Sequence, residues 1–80
     1  MKKFIAYNKN NFNILGYIEN QYTTIQETSE IFRNFENYDV IEADKFEIPE
    51  NYEKYKVTIE EGLLTRIELI PDETNTQEEV

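Results

Sequence analysis

The chain has 80 residues, with 8 Lys plus Arg against 17 Asp plus Glu, no His, and a formal charge of −9; only 39% of it is apolar. That length allows one small domain, and the lack of any Cys excludes both a disulfide framework and a thiolate metal site, the usual staples of very small folds. So acidic a chain repels nucleic-acid phosphates, which argues against direct binding of DNA or RNA.

No membrane segment is expected, because the longest apolar runs are pairs and triplets such as Phe4-Ile5-Ala6, against the ~20 residues that span a bilayer. Lys2 and Lys3 mimic the start of a signal peptide, but the apolar run of ~7–15 residues that such a peptide needs does not follow them. Residence in the cytoplasm, or synthesis there into something that later leaves, is the expectation, in keeping with zero Cys. Six Tyr and five Phe argue for a folded chain, since disordered acidic sequences are poor in rings.

In chain order, Lys3 to Tyr7 is a short apolar stretch of imperfect alternation, and Asn8-Lys9-Asn10-Asn11 is a turn cluster in which Asn tolerates positive φ. Phe12 to Ile18 resumes the pattern, with Phe12, Ile14, Gly16 and Ile18 on one face and Leu15 and Tyr17 on the other, so a β-hairpin is expected. Gly16 inside its second strand marks a bulge or a close-packed neighbour. From Thr23 the period changes. Ile25, Thr28, Ile31 or Phe32, and Phe35 follow helical spacing. Thr24 and Glu27 have capping-box form, and Asn37 can close the helix in a left-handed conformation. The helix is expected to bury Ile31, Phe32 and Phe35.

Tyr38 to Ala43 reads as a third strand, and Asp44 to Tyr52 as a loop that tucks in Phe46 and Ile48. A second hairpin is centred on Glu61-Gly62, with Tyr55, Val57 and Ile59 alternating on one side. Across the turn, Leu63, Thr65, Ile67 and Leu69 alternate with Leu64, Arg66, Glu68 and Ile70. The fold class expected is α+β: a small antiparallel sheet built from two β-hairpins and a short strand, with one amphipathic helix packed on one face. Residues 1–70 make this single domain, and 71–80 read as a disordered acidic tail.

Catalysis finds little support. Without His or Cys, imidazole and thiol mechanisms are excluded, and Ser29, the one serine, has no base to activate it. Asp39, Glu42 and Asp44 carry oxygens suited to a hard cation but lack the spacing of a calcium loop. Neither a metal nor a cofactor is expected, and the chain is read as no enzyme.

Two features support protein binding instead. Eleven rings are difficult to bury in so small a core, and tyrosines such as Tyr17 have the shape enriched at interfaces. Leu15, Tyr17, Leu64 and Ile70 add apolar groups to the face each hairpin leaves to solvent. A sheet apolar on both faces implies a protein partner or a second copy of the chain. The second feature is charge: residues 19–53 hold ten acids against Arg33 and Lys45. Glu27, Glu30, Asp39, Glu42 and Asp44 on a rigid surface would attract a basic groove, as a nucleic-acid mimic does.

The order of parts also carries a resemblance. Lys3-Phe4-Ile5-Ala6-Tyr7, an Asn-rich turn, Ile14-Leu15-Gly16-Tyr17, an acidic middle, Ile48-Pro49-Glu50 with Tyr52 and Tyr55, and a Gly62-Leu63-Leu64 hairpin resemble small acidic proteins encoded among tail and baseplate genes of phages of low-GC Gram-positive bacteria. The likeness covers residues 3–70, with the helix from Thr24 to Asn37 inserted relative to the shortest such proteins. It implies a non-enzymatic virion component, made in the host cytoplasm and docking on a tail or fibre protein. A second expectation is an acidic inhibitor of a host nucleic-acid-binding defence protein, of the anti-CRISPR type.

Overall fold

The computed structural model describes residues 2–71, and the acidic terminus from Asp72 onward, which the sequence pattern marks as a tail, lies outside them. The chain runs β1 (Lys2–Asn8), β2 (Ile14–Asn20), α1 (Ile25–Ile31), β3 (Tyr38–Glu42), a 3₁₀ turn (Tyr52–Lys54), β4 (Tyr55–Glu60) and β5 (Leu63–Leu69). The α+β class and every expected element are present. Among the described residues the strands form two antiparallel sheets, not the single sheet expected: a three-stranded sheet in the order β2-β1-β3, and the hairpin β4-β5.

The imperfect alternation of β1 has a structural cause. Phe4, Ile5, Ala6 and Tyr7 are all buried, because β1 is the middle strand and both of its faces are covered. Phe4 and Ala6, with Val40 of β3, pack against Leu15, Phe32 and Tyr38 on the helix side. Ile5 and Tyr7, with Ile14, Ile41 and Ala43, pack against Val57 and Leu64 of the second hairpin on the other. Phe46 and Ile48 of the loop join this second cluster, as the sequence leads one to expect. The two-sided apolar pattern, which implies a partner or a second copy, is thus satisfied within the chain.

Gly16 has both of its expected roles. Ala6 pairs with Gly16 and Tyr7 with Ile14, so Leu15 is the extra residue of a bulge. A Cβ on Gly16 would lie 2.5 Å from Phe32 Cε1, so the missing side chain is the seat of the helix-side ring. The helix itself is shorter than the Thr24–Asn37 expected. Thr24 caps it, its Oγ1 accepting the Glu27 N–H at 3.1 Å. Thr28, fully buried, donates its hydroxyl to the Thr24 carbonyl at 2.9 Å, so its burial leaves no orphan donor. The helix ends at Phe32, and Asn37 takes its positive φ of 55° at the entry to β3, not as the helix cap. Of the three residues expected to be buried, only Phe32 packs into the core; Ile31, on the neighbouring flank, and Phe35, beyond the last helical turn, are exposed.

The first hairpin's turn also departs from expectation, since its left-handed residue is Phe12 (φ 66°) and not an asparagine. Two contacts hold it there: its ring stacks on Tyr7 with centroids 5.8 Å apart, and its carbonyl accepts the Val57 N–H at 2.9 Å. This bond and the Asn13–Lys56 bridge tie the two sheets together. In the second hairpin Glu61 (φ 54°) and Gly62 (φ 78°) make a two-residue turn with both central residues left-handed.

The Gly16–Phe32 contact predicts that Gly16→Ala destabilises the chain by about 1–3 kcal/mol through overpacking. Urea denaturation should show most of that loss vanish when Gly16→Ala is made in a Phe32→Leu background, where the obstructing ring is gone.

Candidate protein-binding surface

The register of β4 and β5 decides which apolar residues meet solvent. Glu60 pairs with Leu63, Ile59 with Leu64, Thr58 with Arg66 and Val57 with Ile67, so Thr65 is an extra, bulged residue. Residues directly opposite share a face. Leu63 therefore lies with Glu60 on the outer face and is 68% exposed, whereas Leu64 points inward and is 8% exposed. The alternation of the sequence puts Leu64 among the outward apolar residues; the structure corrects this and makes it a core residue. Leu15 and Tyr17 are half-buried, Leu15 in the helix-side cluster and Tyr17 edge-on to Tyr52 at 5.7 Å. Ile70 is half-buried beyond β5, its N–H donated to the Lys54 carbonyl at 2.9 Å. None of the four is a freely exposed apolar group.

Among the described residues the exposed large apolar ones are others: Phe12, Tyr22, Ile25, Ile31, Phe35, Leu63 and Leu69. A two-residue turn makes its flanking residues partners, and Glu60 continues the polar series Lys56 and Thr58. Carrying that face across Gly62 would have placed Leu63 outside from the sequence alone. Two of these residues, Ile25 from the start of the helix and Leu63 from the β4–β5 turn, line one groove of about 380 Å³. It runs along the outer edge of β3, where Val40, Ala43, Phe46 and Leu64 also contribute to its wall. The layers that cover opposite faces of the central sheet meet at this edge.

The acids expected to act together are divided by the fold. Asp39 and Glu42 are an odd number of positions apart on β3, so alternation sends them to opposite faces. Glu42 and Asp44 lie 3.9 and 3.7 Å from Lys2 Nζ, and Asp44 Oδ1 also accepts the Lys3 N–H at 2.7 Å. Lys3 Nζ in turn donates to the Phe46 carbonyl at 2.7 Å. Asp44 thus fixes the loop to β1. Glu27 and Glu30 are exposed on the helix, with Glu27 tied to its own cap at Thr24. Among the described residues no group of three or more carboxylates converges as a cation site would require.

Burial pushes the Tyr7 phenol above the usual tyrosine range, and the neighbouring Asp39 carboxylate adds to the effect. No protein-family model, curated protein or solved structure matches the chain. Among the described residues no helix is long and apolar enough to cross a membrane.

These placements lead to two expected outcomes. Leu64→Asp buries a charge at a cost of several kcal/mol, comparable to the roughly 5 kcal/mol total stability of many small domains, and abolishes the folded signal in circular dichroism. Leu63→Asp, one residue earlier, leaves the melting curve within a few degrees of the parent. The raised Tyr7 pKa stabilises the protonated, folded form: its contribution is complete below the unfolded tyrosine value and disappears as pH rises through the folded one. Denaturation midpoints between about pH 9 and 11 should therefore fall with rising pH, and fall less steeply in Tyr7→Phe.

Proposed function

We propose that the chain is a non-enzymatic protein-binding module that docks through exposed apolar residues. One observation supports this above others. Both faces of the central sheet are covered within the chain, yet Ile25 and Leu63 remain 49% and 68% exposed and line one groove. Side chains of that size left in water after the core is complete are what a binding surface presents. The resemblance to small phage tail and baseplate proteins gives the module a setting: made in a host cytoplasm, carried into a virion, and bound to a tail or fibre protein. The alternative, an acidic inhibitor that mimics nucleic acid, has less support, because Glu42 and Asp44 share Lys2 and Asp39 faces away from Glu42.

The test is retention of partners from a lysate of the source cells by a tagged chain, at low and high salt, with Leu63→Asp and Ile25→Asp as comparison baits. A tail or fibre protein held at high salt and released by either substitution is the expected result. A nuclease or other nucleic-acid-binding protein released by salt alone would favour the acidic alternative.

A further inference from the structure

We infer that two copies of the chain join through the free edge of β5, pairing antiparallel about Ile67 so that Arg66 of each copy stands opposite Glu68 of the other. This contact is separate from the groove of Ile25 and Leu63 and goes beyond the docking of a partner there.

Hydrogen bonds around β4 give the edge its phase. The Ile70 N–H donates to the Lys54 carbonyl at 2.9 Å, while the Val57 N–H turns the other way, to the Phe12 carbonyl. Lys54, Lys56 and Thr58 therefore direct their backbone groups at β5, and Ile70, Glu68 and Arg66 answer them. Ile67 and Leu69 alternate with these and direct their own N–H and carbonyl groups outward. Among the described residues no strand pairs with β5 on that side. A row of this kind accepts another strand.

Charge selects a second copy of the chain as that strand. The other edge strands, β2 and β3, carry acids alone: Glu19 on one, Asp39 and Glu42 on the other. Pairing either with itself brings no cation to meet them. The second hairpin differs. From residue 54 to 70, Lys54, Lys56 and Arg66 match Glu60, Glu61 and Glu68, a neutral stretch in a chain of −9. Within β5, Arg66 and Glu68 flank Ile67 on the outer face, opposite Thr58 and Lys56. Antiparallel pairing reverses residue order, so Arg66-Ile67-Glu68 meets Glu68-Ile67-Arg66. Each Arg66 then has Glu68 of its own strand 3.6 Å away and Glu68 of the second copy across from it. Opposite charges directly across two strands attract and like charges repel.

The same register serves the rest of the edge. Ile67 exchanges both of its outward backbone hydrogen bonds with Ile67 of the second copy. Leu69, on the inner face and 60% exposed in the single chain, comes diagonal to that isoleucine and within reach of it. Centring the pair on Glu68 would also match outward backbone groups, but it sets Glu68 against Glu68.

The test is sedimentation of the full chain from micromolar to millimolar concentration, in about 0.15 M salt, where exposed charges more than ~8 Å apart are largely screened. A monomer–dimer equilibrium is expected. Arg66→Glu and Glu68→Arg should each weaken it at least about tenfold, because two attractive cross-strand pairs become two repulsive ones. The chain carrying both substitutions should return to within about threefold of the parent, and the two single variants mixed should pair with each other at concentrations where each alone is monomeric. Circular dichroism checks each fold, and the mixing experiment needs only that both single variants are folded; if one is not, the double substitution carries the test. A chain that stays monomeric throughout, a dimer indifferent to both single substitutions, or no restoration on exchange or mixing would overturn the inference. So would a dimer strengthened by Glu68→Gln, or one dissociated by Ile25→Asp, which would move the contact to the groove. The protein-binding reading fails separately, in the lysate experiment, where Arg66→Glu should retain the same partner as the parent.

Discussion

Burial of β1 on both of its faces governs the rest of the structure: Phe4 and Ala6 face the helix layer while Ile5 and Tyr7 face the second hairpin. A three-stranded sheet covered on one side only would expose half of that strand to water. Two thin layers from a short chain solve the problem, one a helix of seven residues and the other a two-stranded hairpin with its preceding loop. Each supplies a few large side chains, so position matters more than area. Phe32 reaches the sheet because Gly16 is empty above it, and Val57 and Leu64 reach the opposite side because Phe12 holds β4 by a backbone hydrogen bond.

Much of this is legible in the residues. The strand, turn and helix positions come from period and punctuation, the Thr24 cap from its spacing to Glu27, and the special status of Gly16 from a glycine inside a strand pattern. The features that the sequence conceals have physical causes. An apolar residue on the second face of a strand looks the same whether the chain or a partner covers it, so the two-faced pattern cannot say that the helix and hairpin are the cover. The bulge at Thr65 reverses the facing of the later β5 residues, and no residue type announces it. The helix is shorter than its spacing suggests because the period of Ile25, Thr28 and Phe35 persists into a segment where the backbone has already turned aside.

The candidate surface is the less legible part. A negative block in the sequence suggests a negative face, but strand alternation and pairing to Lys2 and the Lys3 amide divide its members between structural and solvent roles. Asp44 illustrates the difference: counted as a surface charge, it is the bond that anchors the loop to the first strand. The exposed apolar groups, by contrast, are set by where the two covering layers run out. The helix begins and the hairpin turns at the same edge of the central sheet, and Ile25 and Leu63 are the residues those ends leave uncovered.

Phe12 gives the molecule a constraint of another kind. A bulky aromatic residue at a φ of 66° lies in a region that disfavours side chains of its size. Glycine there would relax the backbone but delete the ring stacked on Tyr7, and asparagine would do much the same. Any residue that removes the stacking also loosens the joint through which one sheet holds the other. The turn is therefore a position where local comfort and global cohesion oppose each other, so improving the chain's robustness there requires changing at least two residues together.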